Sequence, residues 1–110
     1  MDRPDFAELL TKIQARPRMW IADERFTTFV AFVDGADAAS RGELLAGFRE
    51  WLAAEYGWAG SSYSWCGLIA HRVLPDHVES RRSLGDLDEE KSGPLIAEMF
   101  NRLVSFLSAT

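Results

Sequence analysis

The sequence predicts an all-α fold, a compact single-domain bundle of four to five helices spanning residues 1–110. Three observations predict it. Apolar residues recur at spacings of three and four along most of the chain, the period of a helix buried on one side. No segment shows a sustained apolar–polar alternation of the kind a half-buried strand requires. With 110 residues, 47% of them hydrophobic and 12% aromatic, the chain suits one domain with one core.

The first helix carries the stripe Phe6, Leu9, Leu10, Ile13. Asp2 or Asp5 can accept from the free N–H groups of its first turn. Pro17 removes a donor and pushes Arg16 out of the helical region, so this helix ends near Ala15. The second stripe is Phe26, Phe29, Val30, Val33, with Asp23 as N-cap and an end near Ser40. Gly35, followed by small Ala36 and Ala39, is expected to let another helix pack closely, offsetting the roughly 1 kcal/mol that a mid-helix glycine costs. The third stripe is Leu44, Leu45, Phe48, Trp51, Leu52, bounded by Gly42 and by Gly57 in a left-handed C-terminal cap.

Residues 58–62 form a connection rich in glycine and serine. Trp65, Leu68, Ile69 and Val73 then suggest a fourth helix capped by Ser61 or Ser62. A strand around residues 67–73 is the alternative, because Ser64, Cys66 and Gly67 are poor helix formers. Residues 74–90 read as a polar loop with room for one helical turn. The last helix begins near Gly93 and Pro94 and carries Leu95, Ile96, Met99, Phe100, Leu103, Phe106 and Leu107. Its dense stripe marks it as the central packing helix.

Charge narrows the partners. Twelve Lys and Arg stand against 17 Asp and Glu, a formal charge of −5. Phosphate neutralisation needs a basic surplus, so nucleic acid is disfavoured, as are anionic membranes. A basic protein partner fits. Cys66 is the sole cysteine, which excludes an intramolecular disulfide and suits a reducing cytoplasm. No apolar run approaches the roughly 20 residues that span a bilayer, and the first residues lack the apolar core of a signal peptide. Cytoplasmic residence follows as the expectation.

No constellation of an enzyme is present in the pattern. Trp65-Cys66-Gly67 resembles a redox motif, but the resolving thiol's position holds Ile69. Cys66, His71, Asp76, His77 and Glu79 lack the paired spacing of zinc ligands. Ser61, Ser62 and Ser64 stand on no nucleophile elbow. Gly57 and Gly60 lead to no phosphate-loop lysine. The expectation is no catalytic residue, no cofactor and no metal. Of the four tryptophans, Trp51 falls in a core stripe, while Trp20, Trp58 and Trp65 fall near element ends. Tryptophan is enriched at binding hot spots and charges at interface rims. Trp58 and Trp65 as anchors, with Asp86, Asp88, Glu89 and Glu90 as an acidic rim, are therefore the candidate partner-binding residues.

Several landmarks occur together: Arg16-Pro17-Arg18-Met19-Trp20, Phe29-Val30-Ala31-Phe32-Val33-Asp34-Gly35, Phe48-Arg49-Glu50-Trp51-Leu52, Tyr56-Gly57, Trp65 with Ile69, and a phenylalanine-rich end over residues 100–106. In this the chain resembles a group of small bacterial proteins with an Arg-Pro-x-Met-aromatic turn and a Trp-Leu helix. Trp20 and Ala22 stand where that pattern has tyrosine and glycine. Some such small acidic proteins accompany contact-dependent or other polymorphic toxins as immunity proteins. The resemblance implies a non-enzymatic protein that binds and neutralises a toxin, for which a basic nuclease domain would be an electrostatically apt partner. It carries over no functional residue. The alternatives are a helical adaptor or regulatory homodimer of the bacterial cytoplasm, and a small-molecule binder with an aromatic pocket.

Overall fold

In the computed structural model, which describes residues 1–109, the described residues form six helices and no strand. They are α1 (Arg3–Ala15), α2 (Phe26–Ala39), α3 (Phe48–Glu55), α4 (Trp65–Val73), α5 (Pro75–Glu79) and α6 (Glu89–Leu107), with 3₁₀ turns at Pro17–Met19 and Leu84–Asp86. Five of the six have eight residues or more, and α5 is a short extra turn. The expected all-α bundle is what the chain forms.

Local chemistry sets most of the boundaries. Asp2 caps α1, its carboxylate accepting from the Asp5 amide at 2.8 Å. Phe6, Leu10 and Ile13 are buried along one side of α1, which ends before Pro17. In α2 the residue at the N-cap position is Arg25, not Asp23. Asp23 lies two residues upstream and accepts from the Arg25 amide and the Thr28 hydroxyl, so it organises the approach to the helix. The helix ends at Ala39 as its pattern predicts. The close packing expected at Gly35 is absent: the residue is exposed, and a Cβ there would meet nothing within 4 Å.

α3 starts later than its stripe. Leu44 is buried and Leu45 half-buried, but both lie in the turn before Gly47, whose φ of 84° breaks the helical course. Asp37 accepts from the Leu45 amide at 2.9 Å and holds that turn against the end of α2. Arg3 also fastens it, donating from Nη2 to the Ala46 carbonyl at 2.6 Å and from Nε to the Glu43 carbonyl. Gly57, at φ 75°, closes α3 as expected, and the Trp58 amide returns to the Ala53 carbonyl at 2.7 Å.

Residues 65–73 are helical, which removes the strand alternative, and the cap is Ser64 instead of Ser61 or Ser62. Its hydroxyl accepts from the Gly67 amide at 3.3 Å. Within the polar segment, Pro75 opens α5, where a missing N–H costs nothing. α6 begins at Glu89, four residues before the expected start at Gly93. Asp88 caps it, accepting from the Lys91 amide at 2.8 Å. Pro94 therefore sits in the second turn, and the bond it lacks is one the Glu90 carbonyl would have accepted.

α6 is the central element, packing against α1, α2, α3 and α4. Leu95, Met99, Phe100, Leu103, Phe106 and Leu107 are all buried along it. Phe100 meets Phe29 of α2 edge-on at 5.6 Å between centroids. Phe106 meets Phe48 and Trp51 of α3 at 5.2 and 5.6 Å. Each such ring, fully buried, stabilises the fold by about 1.5–3 kcal/mol. Among the described residues, no helix is long and apolar enough to cross a membrane.

Candidate functional site

The connection from α1 to α2 is folded around one side chain. Pro17 starts a 3₁₀ turn in which its carbonyl accepts from the amides of Trp20 and Ile21, at 3.0 and 2.8 Å. Ile21 turns inward and is buried. Arg18 spreads its guanidinium over the rest of the segment, donating from Nη1 to the Ala22 carbonyl at 3.0 Å and from Nε to Glu24 Oε2 at 3.3 Å. Its Nη2 reaches both oxygens of Glu89 at the start of α6, at 2.7 and 3.0 Å. Glu89 Oε2 also accepts from the Glu24 amide at 2.7 Å. The carboxylate thus ties the α1–α2 connection to α6 through both a side chain and the backbone.

What this clasp leaves outside is apolar. Met19 is 70% exposed and Trp20 49% exposed, on consecutive residues of a turn held at both ends. Beside the clasp runs an open groove of about 290 Å³ between α1 and α6, lined by Gln14, Glu24, Glu89, Gly93, Ile96 and Ala97. Its lining combines Gly93, Ile96 and Ala97 with two carboxylates and an amide. Nearby, the Thr28 hydroxyl, then the Arg25 amide, hold the Asp23 carboxyl below the usual aspartate range.

The candidates named from sequence divide into two places. Asp88 caps α6, and Glu89 belongs to the clasp. Asp86 and Glu90 are exposed on either side of them. Of these four acids, Glu89 lines the groove and Asp86, Asp88 and Glu90 do not. Trp65, by contrast, is only 8% exposed, and its indole N–H donates to Asp34 at 2.9 Å. It is a core residue with a satisfied polar end, not a free anchor. Trp58 is half-buried and packs edge-on against His71 and Tyr56, at 4.7 and 5.5 Å.

Trp58 is also on the wrong side of α6 to join the acids. Its neighbour Tyr56 donates to Glu98 at 2.7 Å. Glu98 follows Glu89 by nine residues (98 − 89) in one helix, about 14 Å along and about 180° around the axis. Among the described residues, no hydrogen bond, ion pair or ring contact links Trp58 or Trp65 to residues 86–90. Trp58 and Trp65 are thus held by Tyr56, His71 and Asp34 and not by the acids of residues 86–90. Trp20, 49% exposed, stands two residues from Arg18 in the chain. Sequence signals for it exist in the Arg-Pro turn, but the partner that fixes that turn is remote in the chain.

The remaining polar groups have simpler surroundings. Burial, then the hydrogen bond to Glu98, push the Tyr56 hydroxyl well above the usual tyrosine range. His71 Nδ1 is buried without a partner, and its Nε2 lies 3.8 Å from Glu79. The free Cys66 thiol lies 3.3 Å from the Ser64 hydroxyl. Among the described residues, no group of three or more His, Cys, Asp or Glu is placed to hold a metal ion. No protein family, no curated protein and no solved structure matches the chain.

Proposed function

We propose that this chain is an immunity-type protein of the bacterial cytoplasm, which binds a toxin domain and neutralises it without catalysis. The observation that carries the reading is the exposed Met19–Trp20 pair on a turn clasped by Arg18 and Glu89. An exposed tryptophan on a mobile loop is a weak anchor, because ordering it opposes binding. One on a fixed turn has most of that cost removed in advance. Tryptophan supplies a large buried area at a hot spot, and the surrounding acids supply steering toward a basic partner. The net charge of −5 favours the same class of partner, of which a basic nuclease domain is the leading instance. The Arg-Pro-Arg-Met-Trp turn resembles that of a group of small bacterial proteins, and some such small acidic proteins accompany toxins as immunity proteins.

The test is capture of tagged protein from a lysate of its native host at low salt, followed by identification of what co-elutes. The expected partner is a near-stoichiometric basic domain, released as salt rises, toxic when expressed alone and harmless when expressed with this chain. Recovery of the bait alone as a symmetric dimer, from cells that express the neighbouring genes, would favour the regulatory homodimer instead.

A further inference from the structure

We propose that the groove between α1 and α6 receives a single cationic side chain, a lysine or arginine, from the partner protein. This rests on the reading above and specifies its chemistry. Arg18 is the one guanidinium shared by two carboxylates, Glu24 and Glu89. Its bonds use Glu24 Oε2 and both oxygens of Glu89, which leaves Glu24 Oε1 without a partner among the described residues. Over residues 16–25 and 86–91 six acids stand against four cations, Arg16, Arg18, Arg25 and Lys91, a local excess of negative charge.

The groove matches a side chain better than a bare ion. A metal needs converging ligands, and no group of three acidic or histidine residues converges among the described residues. The about 290 Å³ of space and the lining of Gly93, Ile96 and Ala97 instead suit a long aliphatic stem that ends in a charge. Gln14 offers an amide oxygen as a further acceptor at the rim. Met19 and Trp20 lie on the same α1–α2 connection as Glu24 and are exposed, though neither lines the groove.

The test uses the whole protein and capped Gly-Lys-Gly and Gly-Arg-Gly peptides, with Gly-norleucine-Gly as the uncharged control, read by amide chemical shifts at low salt. The expected result is saturable shifts at Gln14, Gly93, Ile96 and Ala97 with the cationic peptides alone. Glu24→Gln should weaken that binding about two- to fivefold, the effect of one half-exposed charge pair. Ala97→Leu, at an exposed helical position, should fill the groove and abolish saturation while keeping every charge. Shifts spread over residues 86–90 without residues 93–97 would overturn the proposal, as would wild-type binding by Ala97→Leu or equal binding of the norleucine peptide. Neutralisation of a toxin is read separately: Glu24→Gln and Ala97→Leu proteins that protect cells fully would sink the socket and leave the proposed function standing.

Discussion

The carboxylate of Glu89 lies 2.7 Å from the guanidinium of Arg18, across 71 residues of sequence. The same carboxylate accepts from the Glu24 amide, so one side chain at the start of the last helix fixes the connection between the first two. The pair is partly solvated, with the two side chains 56% and 43% exposed. Its coupling, measured by a double-mutant cycle of Arg18→Ala and Glu89→Ala in urea, should be about 0.5–1 kcal/mol and shrink as salt is added. Coupling indistinguishable from zero at low salt would mean that the turn is held by Pro17 and Ile21 alone.

Gly35 lies at an exposed site inside α2 with open space at its Cβ position. Gly35→Ala should therefore stabilise the protein by about 0.5–1 kcal/mol, a rise of roughly 3–6 °C in Tm. Gly47→Ala should do the reverse, losing about 1 kcal/mol, because φ there is 84°. Thermal melts of the two variants with equal or inverted shifts would contradict this account of the α2 and α3 boundaries.

Acid should act through Asp23. Its carboxyl is held low by the Thr28 hydroxyl and the Arg25 amide, so the folded state binds its proton less readily than the unfolded chain. The stabilisation is present above the ordinary aspartate pKa and is lost as pH falls through the depressed folded value. NMR titration should place Asp23 below the ordinary aspartate value, and Thr28→Val should move it up toward that value. An unchanged titration in Thr28→Val would show that the hydroxyl is not the main cause.

Alkali should act through Tyr56, with the opposite sign. Burial and Glu98 raise its folded pKa, so its contribution is complete below about pH 10, the unfolded value, and is lost as pH rises beyond that. Tyr56→Phe should cost about 1 kcal/mol at neutral pH and remove this alkaline loss. Glu98 keeps Arg102 as a partner at 3.2 Å in that variant, which limits the cost. A Tyr56→Phe protein that still lost stability over the same alkaline range would assign the effect elsewhere.

The bundle was legible because burial imposes its own period. Phe6, Leu10 and Ile13, or Leu95, Met99 and Leu103, announce a buried side whatever they pack against. The misread boundaries have local causes that periodicity does not register. Leu44 and Leu45 continue the spacing of α3, yet Gly47 breaks the helix between them and Phe48. Pro94 looked like a helix start, but the Asp88 carboxylate had already begun the helix six residues earlier (94 − 88). The acids of residues 86–90 were legible as a group since they are neighbours in the chain. The exposed tryptophan was not. Trp65 has the composition of an anchor and is buried, with Asp34 on its indole. Trp20 is the exposed one, on a turn fixed by an Arg18–Glu89 contact that no local pattern records.

The measurement closest to the central claim is a contact competition between the parent strain and a strain lacking this gene, complemented with wild-type or Trp20→Ala protein. Trp20 is half exposed, so the variant should fold with an unchanged helical spectrum. The deletion strain should be killed by its parent, wild-type protein should restore survival, and Trp20→Ala protein, equally abundant, should restore it at least tenfold less well, the loss of about 1.4 kcal/mol or more at a hot spot. A deletion strain that survives contact with its parent would contradict the toxin-neutralising function. Full protection by Trp20→Ala would contradict the assignment of the surface.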